Sequence, residues 1–132
     1  MAQAPQLNRH QTLVLGALLH AQEPVSAYAL LEQLRGEGLR APLQVYRALD
    51  KLIEYGLVHK LSSLNAFMAC AHPHEHRHEL ISFAICERCG KVMEFSGPEF
   101  EAGLRRWAKE HAFRMESAAI ELRGTCERCL SD

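Results

Sequence analysis

The sequence has no long apolar run; none approaches the ~20 residues that a membrane-spanning helix needs. Its first residues, Met-Ala-Gln-Ala-Pro-Gln-Leu-Asn, lack the basic stretch followed by an apolar one that marks a secretory leader, so a cytoplasmic location is expected. An excess of either charge is also missing: 15 Lys and Arg stand against 16 Asp and Glu, a net charge of −1. Residues 1–60 carry six basic side chains against five acidic ones, and residues 61–132 carry nine against eleven. This excludes a bulk basic footprint for nucleic acid. Any DNA contact has to come from locally placed charge or from doubling in a dimer. The His-Glu-x-x-His pattern of zinc hydrolases is absent as well. His74-Glu75-His76 follows Pro73 in a loop-like stretch, so an enzyme is not expected.

What the chain does have is five cysteines and eight histidines in 132 residues. In a cytoplasmic protein, paired cysteines read as metal ligands before they read as disulfides. With 48% hydrophobic residues the chain can also bury a core, in one ordinary domain or two small ones.

The first sixty residues predict helices. Asn8 with Gln11 forms a capping-box pattern, and Leu13, Val14, Ala17 and Leu18 follow at helical spacing. Ser26 is expected to cap a second helix with Ala27, Leu30, Leu31 and Leu34 buried and Gly36 just past its end. Pro42 suits the first turn of a third helix, whose core face is Val45, Leu49, Leu52 and Ile53 and whose stop is Gly56. Two β-like runs, 57–61 and 65–70, flank Ser62-Ser63-Leu64 and predict a hairpin. Three helices and then a hairpin is the order of a winged helix, a helix-turn-helix variant. Residues 71–79, polar and His-rich, predict a hinge. Strands are expected at 80–86, 92–95 and 113–122, with a helix over 98–111 capped by Ser96 and Glu99. Phe100, Leu104, Trp107, Ala108 and His111 form that helix's apolar stripe. The expected fold class is α+β: a winged-helix DNA-binding domain at 1–70, the hinge at 71–79, and a small α/β unit at 80–132 whose open strand edges invite dimerisation.

Cys-Glu-Arg-Cys occurs at 86–89 and again at 126–129, with 36 residues between the pairs. Two residues between cysteines let both sulfurs of a tight turn face one cation. Two such turns complete a tetrahedron with Zn–S near ~2.3 Å, and Gly90 suits the turn after the first pair. Four thiolates leave no open position, so Cys86, Cys89, Cys126 and Cys129 read as a structural zinc site. The competing reading, a thioredoxin-like redox pair, needs a pair at a helix N-terminus, and neither pair reads as one.

Two further groups carry chemistry. His59, Cys70 and Glu94 fall in neighbouring predicted strands, and His72, His74, His76 and His78 alternate along the hinge. Imidazole, thiolate and carboxylate together suit Zn²⁺ over Mg²⁺ or Ca²⁺. A solvated linker beside a buried thiol fits the same residues. On the third helix Gln44, Arg47 and Lys51 lie opposite the core stripe. That face could enter a major groove, with Arg47 bonding guanine, Gln44 adenine and Lys51 phosphate. An ordinary solvated helix face is the alternative.

Several separate motifs, in order, carry a family resemblance. Ser26-Ala27-Tyr28-Ala29-Leu30-Leu31, Val45-Tyr46-Arg47-Ala48-Leu49-Asp50, Gly56-Leu57-Val58-His59-Lys60 and Cys86-Glu87-Arg88-Cys89-Gly90-Lys91-Val92-Met93-Glu94-Phe95 resemble the ferric uptake regulator (Fur) superfamily, and within it the zinc-sensing branch. The likeness spans about residues 8 to 129. It implies a zinc-responsive repressor of zinc-uptake genes that binds operator DNA as a homodimer, with two zinc ions per subunit. One zinc would be structural, on the four paired cysteines. The other would be regulatory, on His59, Cys70, Glu94 and His78, or His76 in place of His78. Tyr28 and Tyr46 would join Gln44, Arg47 and Lys51 at the DNA. Two departures accompany the likeness: Ser117 or Ala118 stands where a further site takes a histidine, and the usual Thr-Pro-Gln-Arg start reads Asn8-Arg9-His10-Gln11. The rival readings are a sister regulator sensing iron, manganese or peroxide, and a zinc-storage or interaction module.

Overall fold

The computed structural model describes residues 6–21, 23–70, 80–95 and 97–131. The chain divides into two units, Met1–His74 and Glu75–Asp132. No helix among the described residues is long and apolar enough to cross a membrane.

In the first unit α1 (Arg9–His20) opens with the expected capping box. Asn8 Oδ1 accepts the Gln11 N–H at 2.8 Å, and Gln11 Oε1 accepts the Asn8 N–H at 3.0 Å. Ser26 Oγ accepts the Ala29 N–H at 3.1 Å and starts α2 (Ala27–Leu34). The end of α2 departs from expectation. The chain runs on through Gly36 as a 3₁₀ turn over Arg35–Glu37, and Gly38, at φ 112°, reverses it. A 3₁₀ turn keeps right-handed dihedrals, so the left-handed residue is needed only at its own end. α3 (Pro42–Glu54) has Pro42 in its first turn and closes in a Schellman turn: Gly56, at φ 77°, donates to Ile53 and Leu57 donates to Leu52, both at 2.9 Å. Val45, Leu49 and Leu52 are fully buried in one cluster with Val14, Leu30 and Val58. Each such side chain contributes about 1.5–3 kcal/mol relative to exposure.

The hairpin follows as β1 (Val58–Leu61) and β2 (Ala66–Ala69), antiparallel, with Val58 opposite Ala69 and Leu61 opposite Ala66. Its turn takes in Asn65, which the sequence assigned to the second strand. At φ 49° Asn65 adopts the left-handed conformation that asparagine tolerates. Val25 adds a rung that sequence reading missed, exchanging two 2.8 Å backbone bonds with Phe67. Three helices with this small sheet make a winged helix.

In the second unit β3 (Leu80–Cys86) is the central strand. It pairs antiparallel with β4 (Val92–Phe95) and parallel with β5 (Ala118–Gly124), giving the order β4-β3-β5. α4 (Pro98–Glu110) provides the crossover a parallel pair needs. Its N-cap is Gly97; Ser96, expected there, lies outside the described residues. β5 begins at Ala118, later than the predicted Phe113. The residues after α4 are used to close it: Ala112, at φ 51°, donates to Lys109, and Phe113 donates to Ala108 at 2.7 Å. The α4 stripe exists but is open. Ala108 is buried, whereas Phe100 and Trp107 are 55% and 54% exposed. A last helical turn, α5 (Glu127–Leu130), was not foreseen.

Candidate metal centres and recognition helix

Because β3 and β5 run parallel, their C-terminal ends lie side by side, with Cys86 paired to Gly124. Each strand runs straight into one cysteine pair. The Glu87 N–H donates to the Gly124 carbonyl at 2.8 Å and joins the two turns. Gly90, at φ 79°, lets the first turn close, its N–H donating to the Cys86 carbonyl at 2.9 Å. The second pair does begin a helix, contrary to expectation, with Cys126 as the N-cap of α5. That turn is only four residues long, and its sulfurs meet those of the first pair rather than standing alone.

The four sulfurs lie within 4.8 Å of one another. Cys86 Sγ to Cys129 Sγ and Cys89 Sγ to Cys126 Sγ are both 3.7 Å. A tetrahedron with ~2.3 Å Zn–S bonds has edges of about 3.8 Å, so the sulfurs already stand at tetrahedral spacing. All five cysteines of the chain are thiols, not disulfides. Around the site, backbone N–H groups point at sulfur: Cys126 N to Cys86 Sγ at 3.3 Å and Cys89 N at 3.5 Å. Those bonds, Cys126 first, lower the Cys86 thiol from 9.0 to about 6. The Cys129 N–H lowers Cys126 in turn. Cys129 is pushed up to about 12, first by its hydrogen bond with the Cys126 side chain and then by burial. Cys86 is thus prepared as a thiolate while Cys129 holds its proton until a cation displaces it. Arg88 Nη1 donates to the Cys129 carbonyl at 3.1 Å and braces the second turn from the first. The donor set and spacing fit a structural Zn²⁺.

The first unit presents a second, smaller donor group. His59 on β1 faces Met68, while the Cys70 N–H, just past β2, donates to the Leu57 carbonyl at 2.8 Å. His59 and Cys70 are therefore diagonal neighbours on one face of the hairpin. Their ligand atoms lie within 4.8 Å of each other, and the residues are 2% and 7% exposed. Glu94 belongs to the second unit, half-buried on β4 opposite Phe83. His78, the alternative His76, and His72 and His74 lie outside the described residues.

On α3 the side chains of Tyr46, Arg47 and Lys51 are exposed, and Tyr28 on α2 is 68% exposed. The Lys51 ammonium lies 3.2 Å from Glu54, an exposed pair worth about 0.2–0.5 kcal/mol and readily exchanged for a phosphate. An open cleft of about 550 Å³ runs between the start of α1 and α3, lined among others by His10, Gln44, Arg47 and Lys51. Gln44 is engaged elsewhere than expected. Its Oε1 accepts the backbone N–H groups of Arg40 at 2.7 Å and Ala41 at 3.1 Å.

Fold and site together define a metal-binding winged-helix protein whose second unit gathers four cysteine sulfurs at one point. The sequence profile of the ferric uptake regulator family matches residues 8–123, and the chain belongs to that family. It is 38% identical over 107 residues to the zinc uptake regulation protein of Escherichia coli (strain K12), across 80% of this chain. It spans 62% of that relative's length. The structure is similar to the crystal structure of holo XcZur, with a TM-score of 0.89 at 38% identity over 98% of this chain and 90% of that one. It is also similar to a zinc uptake regulator complexed with zinc and DNA, with a TM-score of 0.88 at 34% identity over 96% and 84% of the two chains.

Proposed function

We propose that this protein is a zinc-responsive transcriptional repressor that binds operator DNA as a zinc-loaded homodimer and represses zinc-uptake genes. The carrying observation is the buried His59–Cys70 pair on the wing of a DNA-binding fold. A thiolate at that position favours zinc over the harder metals that a ferric or manganese sensor takes, which weighs against a sister specificity. In this reading Cys86, Cys89, Cys126 and Cys129 hold a structural zinc, and His59, Cys70, Glu94 and His78, or His76, hold a regulatory one. Bound there, zinc supplies a cross-link whose ordering cost an apo protein would have to meet on binding DNA. Arg47, Tyr46, Lys51 and Tyr28 meet the operator. Phe100 and Trp107, exposed on α4, mark the surface that a second copy covers. Reduced thiols throughout suit the cytoplasm.

The relatives named above, a zinc uptake regulation protein and a zinc uptake regulator complexed with zinc and DNA, support this reading. The test is a gel shift on zinc-transporter promoters and the protein's own upstream region, with zinc, iron, manganese, and a chelator too weak to strip four thiolates. Zinc-dependent retardation is expected. Cys70→Ala should stay folded and lose that dependence. Full operator affinity of Cys70→Ala under the chelator overturns the regulatory role of the pair.

A further inference from the structure

Gln44 sits in the first turn of α3 with its side chain turned back on the chain rather than out along the helix face. α3 has no side-chain N-cap, because Ala41 occupies that position and its side chain carries no acceptor. Pro42 at the first helical position fixes φ but has no N–H to give. In a capping box the residue three positions into the helix accepts the N-cap N–H, and Gln44 Oε1 takes that amide and the one before it, Ala41 N–H at 3.1 Å and Arg40 N–H at 2.7 Å. The Gln44 backbone N–H in turn donates to the Ala41 carbonyl at 3.0 Å, so one residue ties the entry segment to the helix twice. Reading adenine needs this same amide oxygen to accept from N6 while the amide nitrogen donates to N7. Both entry bonds would have to break for that.

We infer that Gln44 is a positioning residue, not a base reader: it fixes the N-terminal turn of α3 and thereby the aim of Arg47, one helical turn further on. This rests on the proposed role of α3 at DNA. It assigns base discrimination to the exposed residues of α3 and removes Gln44 from it, although spacing alone puts Gln44 on the same face.

Two variants of the zinc-loaded full-length protein separate the roles. Gln44→Glu keeps an oxygen acceptor at the capping-box position and loses the amide donor that adenine requires. Gln44→Leu keeps the bulk and loses the acceptor. Amide hydrogen exchange at Arg40 and Ala41, together with binding to a library of single-base operator variants, reads both. Gln44→Leu should exchange about fivefold faster at those two amides, the weight of one helix cap, and should flatten base preference at the Arg47 position. Gln44→Glu should restore protection and the wild-type preference profile, with at most a uniform loss of affinity from its added charge. Loss of adenine preference at one operator position in Gln44→Glu, or unchanged exchange in Gln44→Leu, overturns the inference. If the wild type shows no sequence preference on any duplex while the exchange result holds, the DNA reading has failed and the inference falls with it, and the two failures are told apart.

Discussion

Removing metal from the four-cysteine site should unfold the second unit and leave the first standing. The buried side chains set this asymmetry. Among the described residues the first unit buries a broad apolar set that includes Val14, Leu18, Leu30, Leu31, Leu49, Leu52, Val58 and Phe67. In the second unit the buried apolar side chains are Phe83, Ile85 and Ala108 with Cys86, Cys126 and Cys129, so half of that set belongs to the four-cysteine cluster. The cysteines form a cluster of their own. Structural zinc sites bind with about 10–16 kcal/mol of apparent free energy at neutral pH, whereas a whole domain is stable by about 5–15 kcal/mol. Loss of the ion therefore removes as much free energy as the unit has. The perturbation is exhaustive chelation, with Cys126→Ser as its genetic counterpart. Residue-resolved amide exchange, checked by metal analysis, should show β3 and β5 amides losing protection while α1 to α3 keep theirs. Slow exchange along β3 and β5 in demonstrably zinc-free protein would refute the reasoning, because the sheet would then be standing without its clip.

Four other outcomes are expected. At pH 7 Cys86, lowered to about 6, is already a thiolate, whereas Cys129, pushed up to about 12, is protonated; zinc loading should release at least one proton, read by calorimetry in buffers of different ionisation heat, and zero release refutes this. Below about pH 6 Cys86 also takes up a proton, so zinc affinity should fall more steeply with acidification there than above it. Ala112 at φ 51° sits where a Schellman turn favours glycine, so Ala112→Gly should raise the denaturation midpoint by about 1 kcal/mol of stability; a lowered midpoint counts against the strain. Trp107, the single tryptophan, is 54% exposed and should shift its emission to the blue as protein concentration rises and a second copy covers α4. A spectrum unchanged across the dimerisation range removes α4 from the interface.

The winged helix was legible because its signals are local. Asn8, Ser26, Pro42 and Gly56 act within one or two turns of themselves, and all four do in the structure what their chemistry dictates. The failures come where one local solution competes with another. Gly36 had the composition of a helix stop, but a 3₁₀ turn carried the chain past it to Gly38. The predicted strand start at Phe113 ignored the closing turn after α4, and no glycine was there to announce it. Gln44 illustrates the limit most sharply. Helical spacing tells which face a residue lies on, but not whether its side chain follows that face or folds back to a bare amide. The four-cysteine cluster was legible from spacing; the largest cause of the lowered Cys86 thiol was not, since the Cys126 N–H reaches Cys86 Sγ across the two turns that the parallel pairing of β3 and β5 sets side by side.

The contrast between the two donor groups explains why one can be structural and the other a switch. The paired cysteines belong to one unit, at the ends of adjacent strands, and that unit alone supplies four donors. Such a site assembles as the sheet forms, and its occupancy is linked to folding. Among the described residues of the first unit the hairpin brings together His59 and Cys70, and zinc asks for four ligands. Two buried donors of one unit bind weakly by themselves, and in the proposed regulatory site the remaining ligands would have to be gathered at an entropic cost. On the proposed function, occupancy would then depend on free zinc over a range in which the four-thiolate site is already full. A sensor needs that ordering of affinities, with a permanent ion that keeps the protein folded and a weaker one that reports supply. Cys70 and the paired cysteines are therefore distinguished less by their chemistry, which is the same thiolate, than by how much of the coordination sphere their own unit provides.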